Sequence, residues 1–360
     1  MDSETRLQLL KGIAQEIVTE EELKQLVETK TKLVAYDGFE PSGLAHLPVG
    51  IYRPLLLRDL IKANVKFKLL LADSFAWINE KLEGDLENIR IVGKYFLEVW
   101  KASGLDMSKV EVVWHKDHFD NPEYWKKVML VAKHHTENRT RRALQIAGRG
   151  EDVSHVAQFF YPSMQVADVF QLDVDICQLG LDQRKANMLA REVADKLKWK
   201  KPVALHHRML LGLDGMSSAS AADEASIDAE INAKMSKSKP NTCIFVHDSF
   251  DEIKKKITGA YCPPKVVAGN PMLEYSREIV FRAFGEMTIE RPAKFGGTVS
   301  YAAYSELEND FVAGKLHPMD LKNSVAVNLD KLIEPIRTHF EKDKGAKKLF
   351  EQVSSFNVTR

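Results

Sequence analysis

Residues 33–57 constrain the fold more than any other stretch, because a short apolar run, a glycine-proline turn and an apolar helix follow one another there without a spacer. Leu33, Val34, Ala35 and Tyr36 have the length and composition of a parallel strand buried on both faces. Asp37-Gly38-Phe39-Glu40-Pro41-Ser42-Gly43 ends it. Gly38 and Gly43 accept torsions closed to other residues, and Pro41 fixes one more. His46 follows, just as a helix carrying Ile51, Leu55, Leu56, Leu57, Leu60 and Ile61 begins. A strand end feeding a helix N-terminus is where open α/β sheets hold phosphates, so a nucleotide is the first ligand to expect. Taken alone, the stretch reads first as an ordinary strand-to-helix turn with a surface histidine.

The same alternation continues. A second apolar run, 67–72, ends in Asp73-Ser74-Phe75-Ala76-Trp77, and a charged helix over 85–103 leads to a strand over 110–114. Residues 174–180 read as another strand, followed by Leu181-Asp182-Gln183-Arg184-Lys185 and a long amphipathic helix. This order predicts an α/β, Rossmann-like, doubly wound parallel sheet. Ahead of it, 5–17 and 20–29 read as two helices, with Thr19 as the N-cap of the second. Beyond 243–246, Ala260-Tyr261-Cys262-Pro263-Pro264 breaks the alternation, and 272–284, 304–313, 318–340 and 346–353 read as helices. We therefore expect a catalytic domain over 1–258 and a mainly α-helical domain over 259–360.

Charge and cysteine usage exclude several classes. Lysine plus arginine equals aspartate plus glutamate at 51 each, so no global field favours nucleic acid or a membrane surface. Any case for RNA rests on local patches. One is 126–149, where Lys126, Lys127, Lys133, Arg139, Arg141, Arg142 and Arg149 face one acid, Glu137. Such a run is usually a solvated helix face, but it is also able to contact phosphates. Cys177, Cys243 and Cys262 lack paired metal-ligand spacing, which predicts a reducing compartment and no protein-held metal. An acidic start, with no apolar signal core and no membrane-length run, predicts a cytoplasmic chain.

Two further segments concentrate polar groups. If 161–168 is helical, Tyr161, Gln165 and Asp168 share one face amid apolar neighbours and require partners; a core hydrogen-bond network would serve as well as a site. Residues 212–233 read as a mobile surface loop whose Ser217, Ser218 and Ser220 are linker residues, since nothing is placed to activate them. It leads into Lys234-Met235-Ser236-Lys237-Ser238, two cations three apart among small polar residues, the layout of a loop able to close over a triphosphate within 213–240.

The early histidine turn and the late lysine motif together resemble the paired signatures of class I aminoacyl-tRNA synthetases. With Tyr161-Pro162-Ser163-Met164-Gln165, 181–185 and His317-Pro318-Met319-Asp320-Leu321-Lys322-Asn323 in the same order, the chain resembles tyrosyl-tRNA synthetases of the archaeal and eukaryotic type over nearly its whole length. That resemblance implies a tyrosine–tRNA ligase using ATP, with Mg²⁺ accompanying it. Tyr36 and Asp168 would then bind the substrate phenol hydroxyl, and Tyr161, Gln165 and Gln183 its ammonium group. Gly38, Glu40, Gly180 and Asp182 would face ATP, with His46, Lys234, Met235, Ser236, Lys237 and Ser238 at its phosphates. Arg139, Arg141, Arg142, Arg184 and Lys185 would meet the acceptor stem of tRNA(Tyr), while Phe295, His317 and Asp320 would read the anticodon in the helical domain. Relatives are homodimers, so a homodimer is expected, with no membrane and no DNA as partner. His118 is expected at the pocket rim, and Pro48 removes a donor from the turn after His46. Tryptophanyl-tRNA synthetases share the fold, but an indole offers no hydroxyl to pair with Tyr36 and Asp168. A weakly active paralogue that binds tRNA or a protein is the alternative from another class.

Overall fold

The computed structural model describes residues 1–144, 155–216 and 224–356. Among them, β1 (Glu16–Val18), β2 (Leu33–Phe39), β3 (Val65–Leu71), β4 (Val110–Trp114), β5 (Ile176–Cys177) and β6 (Val203–His206) form one sheet in the order β1-β6-β5-β2-β3-β4. All neighbours are parallel except β1, which lies antiparallel on β6 at the edge. The chain builds outward from β2 through β3 to β4, then returns to place β5 and β6 on the other side. The order therefore reverses between β2 and β5, and open α/β sheets bind ligands in the crevice beyond such a switch point.

Strand periodicity decides which side chains reach which layer. Leu33, Ala35, Phe67, Leu69 and Leu71 point to one face, where they pack with Leu56 and Leu60 of the helix Arg53–Lys62 and with Val92 and Phe96 of the helix Leu86–Ala102. Tyr36, Leu70 and Cys177 point to the other, against Tyr124, Val128, Met164 and Val169 of the helices Pro122–Ala132 and Tyr161–Gln171. Tyr36 thus belongs to the layer that carries Asp168, which sequence distance alone does not reveal.

Several expectations change in detail. The helix expected over 5–17 stops at Gly12, and Glu16, Ile17 and Val18 become an edge strand instead. β-Branched residues suit that role, and Glu16 is drawn there by His206 at 2.7 Å and Arg184 at 2.8 Å. Thr19 does cap the next helix, Glu20–Thr29, in a capping box with Glu22. After His46 the chain enters a wide π-type turn, Pro48–Tyr52, before regular helix begins at Arg53. Pro48 sits at its first position, where a missing N–H costs nothing. The stretch 126–149 is two helices, Pro122–Ala132 and Glu137–Leu144, and Arg149 lies outside the described residues. Ser217, Ser218 and Ser220 also lie outside them, and the loop expected over 212–233 contains a full helix, Glu224–Ala233.

The carboxyl-terminal part is mainly helical, with one unanticipated hairpin, β7 (Met287–Ile289) on β8 (Val299–Tyr301). The helix expected over 272–284 is widened into a π-type segment over Ser276–Phe281. The long helix Pro318–Lys342 packs on Phe250–Thr258 and Lys344–Ser355, and the latter packs back on Leu86–Ala102.

Candidate active site

A cleft of about 260 Å³ opens at the switch point between β2 and β5. Its walls bring together Tyr36, Gly38, Glu40, Tyr161, Gln165, Asp168, Gly180, Asp182 and Gln183, all nine singled out by sequence. Asp37, Leu70, Ala72, Phe75, Leu179, His207 and Met209 also line it. Gly43 has the positive φ expected of its turn, at 109°. Gly38 does not; it is an ordinary strand residue, and its use is to keep a side chain out of the cleft. Gly180 is needed for space, since a Cβ there would sit 2.5 Å from Met209 Sδ and 2.6 Å from Asp182 Oδ1.

At the apolar end, the Tyr36 hydroxyl and Asp168 Oδ2 are both buried without a hydrogen-bond partner. Leaving two such groups unpaired costs free energy, so the pair is built for a ligand that offers both a donor and an acceptor. Burial, then Cys177 and Asp168, push the Tyr36 hydroxyl far above its ordinary pKa, so it stays protonated and can donate. Burial works to raise Asp168 as well, but His115 and His118 outweigh it and hold the carboxyl below its usual value. One end of the cleft therefore presents a fixed donor beside a fixed acceptor.

Further along, the Tyr161 hydroxyl donates to Glu40 Oε1 at 2.8 Å, where Asn79 Nδ2 also donates at 2.8 Å. Gln165 Nε2 donates to Gln183 Oε1 at 2.9 Å. Carbonyl, hydroxyl and carboxylate oxygens thus cluster where an ammonium group would be welcome. Behind them lies a pair that sequence reasoning missed: Arg53 Nε sits 3.0 Å from Asp37 Oδ2, both buried. Arg53 also binds both oxygens of Gln178, whose amide reaches His207 Nδ1 at 3.3 Å. Burial raises Asp37 to about 7 against the opposing pull of Arg53. An arginine following the apolar run Val49-Gly50-Ile51-Tyr52 was the available signal, since a cation on the buried side of a helix must find an anion.

The cations gather at the mouth. Lys234 Nζ lies 2.7 Å from Asp182 Oδ2, and Lys237 Nζ donates to Ser42 Oγ at 3.0 Å and to the Ser42 carbonyl at 3.3 Å. Ser236 and Ser238 share a hydrogen bond of 2.9 Å. Met235 is an anchor and not a phosphate contact: its side chain is buried, and its N–H donates to the Leu210 carbonyl at 2.7 Å. His46, half-buried and bridged to Phe245, is held down to about 3 by burial and by Lys237 and Lys234. Burial likewise lowers Lys237 to about 8. His46 therefore stays neutral at physiological pH and adds nothing to the repulsion between the two lysines.

Other expected residues lie farther out. Arg139 pairs with Glu192 at 2.9 Å, Arg141 with Glu137 at 2.8 Å, and Arg184 with Glu16 at 2.8 Å. Within the stripe, Arg139 is thus neutralised by an acid of another helix, which a count along the chain cannot see, while Arg141 is met by Glu137 of its own helix. Lys185 lends its carbonyl to Arg139, and exposed Arg142 reaches the Asn138 carbonyl of its own helix. Beside them, Ala143 and Leu144 share a narrow crevice with Tyr161, Gln165, Asp182 and Gln183, linking the basic helix to the cleft. Phe295 is exposed in the β7–β8 connection, which Arg291 ties to Lys315, two residues before His317. His317 caps the Pro318–Lys342 helix, and Asp320 lies in its first turn. His118 lies under the cleft, not at its rim.

Comparison with known proteins bears on the same geometry. Residues 28–334 match the family model for tRNA synthetases class I (W and Y). The chain is 43% identical over 361 residues to tyrosine–tRNA ligase 1, cytoplasmic, of Arabidopsis thaliana, covering 99% of this chain and 90% of that one. It is 43% identical over 365 residues to a tyrosine–tRNA ligase of Saccharolobus islandicus, covering all of both. The crystal structure of tyrosyl-tRNA synthetase complexed with L-tyrosine from Pyrococcus horikoshii superposes with a TM-score of 0.89 at 40% identity, over 98% of this chain and all of that one. With the switch-point cleft and the lysine loop, these matches establish that the chain belongs to the class I tRNA synthetases, among the tyrosine–tRNA ligases of archaea and eukaryotes.

Proposed function

We propose that this chain activates L-tyrosine with ATP and transfers the tyrosyl group to the terminal adenosine of tRNA(Tyr). The observation that carries the reading is the unpartnered, buried pair Tyr36 hydroxyl and Asp168 Oδ2 at the closed end of the cleft. A phenol hydroxyl satisfies both, accepting from Tyr36 and donating to Asp168. Phenylalanine leaves both orphaned, and that is what a site of this kind rejects; tyrosine against phenylalanine in this enzyme class is the case from which the effect is generally known. Tyr161, Gln165 and Gln183 hold the ammonium group, with the Glu40 carboxylate beside Tyr161 adding favourable charge.

With the ring end fixed, the substrate carboxylate is carried toward the mouth, where MgATP enters over Gly38, Gly180 and Asp182. The carboxylate attacks the α-phosphorus, a P–O bond forms, and pyrophosphate leaves with the electrons of the broken P–O bond. No general base is required, because the nucleophile is already ionised. This chain contributes position and charge: Lys234 and Lys237 exchange Asp182 and Ser42 for phosphate oxygens, and His46 adds a neutral donor. In the second step the 2′-hydroxyl of the tRNA attacks the adenylate carbonyl and AMP departs.

For the tRNA, Arg139, Arg141, Arg142, Arg184 and Lys185 take the acceptor stem, and Phe295, His317 and Asp320 take anticodon bases, with an exposed ring for stacking. The boundary between the two domains falls near Thr258. Trp77, Met129, Leu130, Val156 and Phe160 are exposed, and ring contacts run Trp77–Phe119–Trp125–Phe160, an apolar surface suited to a homodimer. No described helix is long and apolar enough to cross a membrane; a 43% identical relative named a cytoplasmic tyrosine–tRNA ligase supports the cytoplasm as the working compartment.

Pyrophosphate exchange with tyrosine, tryptophan and phenylalanine in parallel tests the reading. Exchange with tyrosine alone is expected. Exchange with tryptophan, or with none of the three, would overturn it. Lys234→Ala should slow tyrosine-dependent exchange by about a hundredfold, the loss of one preorganised charge partner, while tyrosine affinity stays put; equal loss of both contradicts the assignment to phosphate.

A further inference from the structure

Asp168 is held from beneath by a network that no motif contains. His118 Nδ1 lies 2.8 Å from Asp168 Oδ1, and His115 Nε2 lies 3.2 Å from the same oxygen. His115 Nε2 is also 2.9 Å from the Tyr124 hydroxyl, which donates onward to the Met164 carbonyl at 3.0 Å. All of these groups are buried. The tautomers follow from the partners. Since the Tyr124 proton goes to Met164, its oxygen accepts from His115, so His115 carries its proton on Nε2, with Asp168 Oδ1 3.2 Å from that nitrogen. His115 Nδ1, buried without a partner, then stays bare. His118 donates from Nδ1. Three ligand-type atoms within 4.8 Å could also describe a metal cage, but here both nitrogens that face Asp168 already have a hydrogen-bonding use.

The consequence is an asymmetric carboxylate. Oδ1 is hydrogen-bonded by His118 and has His115 Nε2 3.2 Å away, while Oδ2 is buried and unpartnered in the wall of the cleft. We propose that His115 and His118 are positioning residues for substrate selection: they clamp one oxygen of Asp168 and leave the other as the acceptor that recognises a phenol hydroxyl. The inference rests on the reading of Asp168 as the phenol-sensing group. An imidazole suits the task because its ring offers one directional N–H to a single carboxylate oxygen and leaves the other oxygen open. The titratable groups facing Asp168 are His115 and His118 from the helix His115–Phe119, Tyr124 from Pro122–Ala132, and Tyr36 from β2. Burial opposes the ionised form, and the histidine contacts outweigh it. Removing a clamp therefore raises the pKa of Asp168, and tyrosine selection is lost as pH falls through the new value.

The test compares tyrosine- and phenylalanine-dependent pyrophosphate exchange across pH in the full chain. His118→Leu and His115→Leu should each raise KM for tyrosine about tenfold, what one charge-assisted hydrogen bond is worth, with little change in kcat or in KM for ATP. The acid limb of kcat/KM for tyrosine should move upward, and activity with phenylalanine should stay flat. His118→Asn and His115→Gln, which keep a donor near Nδ1 and Nε2 respectively, should restore the tyrosine preference. Leucine variants that keep both the preference and the acid limb overturn the inference, as do conservative variants that fail to rescue. Asp168→Asn separates the two levels: if it keeps the preference for tyrosine, the reading of the pocket falls; if it loses the preference while the leucine variants keep it, only the clamp does.

Discussion

Lys237 shows how a single side chain can be poised by its surroundings. Burial lowers it to about 8, so in the free protein it loses its charge as pH rises through that value. Binding phosphates requires the charged form, and a bound triphosphate favours that form. We therefore expect kcat/KM for ATP to fall above about pH 8 in tyrosine-dependent exchange, with the corresponding limb in kcat displaced to higher pH. Lys237→Arg stays protonated throughout and should flatten the profile; a profile identical to the parent would remove Lys237 from the phosphates. His46, at about 3, contributes no limb between pH 5 and 8. The residues legible in sequence were those whose neighbours along the chain betray them: Tyr36 at a strand end, Tyr161, Gln165 and Asp168 on one helix face, the two lysines in their motif. Arg53 and His115 were not legible, because each acts through a partner that only the fold brings near.

At the scale of elements, the segment after β2 is fixed by contact with the stretch that follows the lysine loop. Leu47 N donates to the Ile244 carbonyl at 2.8 Å, and Val246 N to the Ala45 carbonyl at 3.1 Å, which sets His46 beside the loop's exit. Gly50 permits this approach: a Cβ there would meet Val246 Cγ1 at 2.4 Å and Val99 Cγ1 at 3.2 Å. Gly50→Ala should cost about 1–3 kcal/mol by overpacking, read as a lower denaturant midpoint at unchanged slope. An unchanged midpoint would mean the two segments are not pressed together. Strands β2, β3 and β4 were visible in the sequence because they are mostly apolar runs flanked by turns. β1 was hidden: its three residues continue a helical pattern and become a strand only because β6 offers an open edge. The β7–β8 hairpin was hidden for a related reason, each strand being too short to show a period.

For the whole molecule, the joint between the sheet and the helical part is itself a core. One apolar cluster runs from Leu33 and Phe67 through Ile244 and Ile253 to Val325, Ile336 and Val353. Polar ties cross the same joint: Arg282 to Asp59 at 2.9 Å, His339 to Glu98 at 2.8 Å, and Lys322 to the Thr258 carbonyl at 2.9 Å. Leu211, bridged to Lys234, gives its N–H to Glu274 at 2.7 Å and its carbonyl to Tyr275, so the segment behind the lysine loop is gripped by the helical part. The boundary proposed near Thr258 would then divide the chain by architecture and not by stability. Neither side can lose its fold without exposing the other's apolar face, and exposing it costs about 25 cal/mol per Å². Calorimetry should accordingly give one unfolding transition whose van't Hoff and calorimetric enthalpies agree. Two resolved transitions, or a chain ended at residue 258 that melts as sharply as the whole, would mean that the shared cluster is an incidental contact and that the lysine loop is not braced from below.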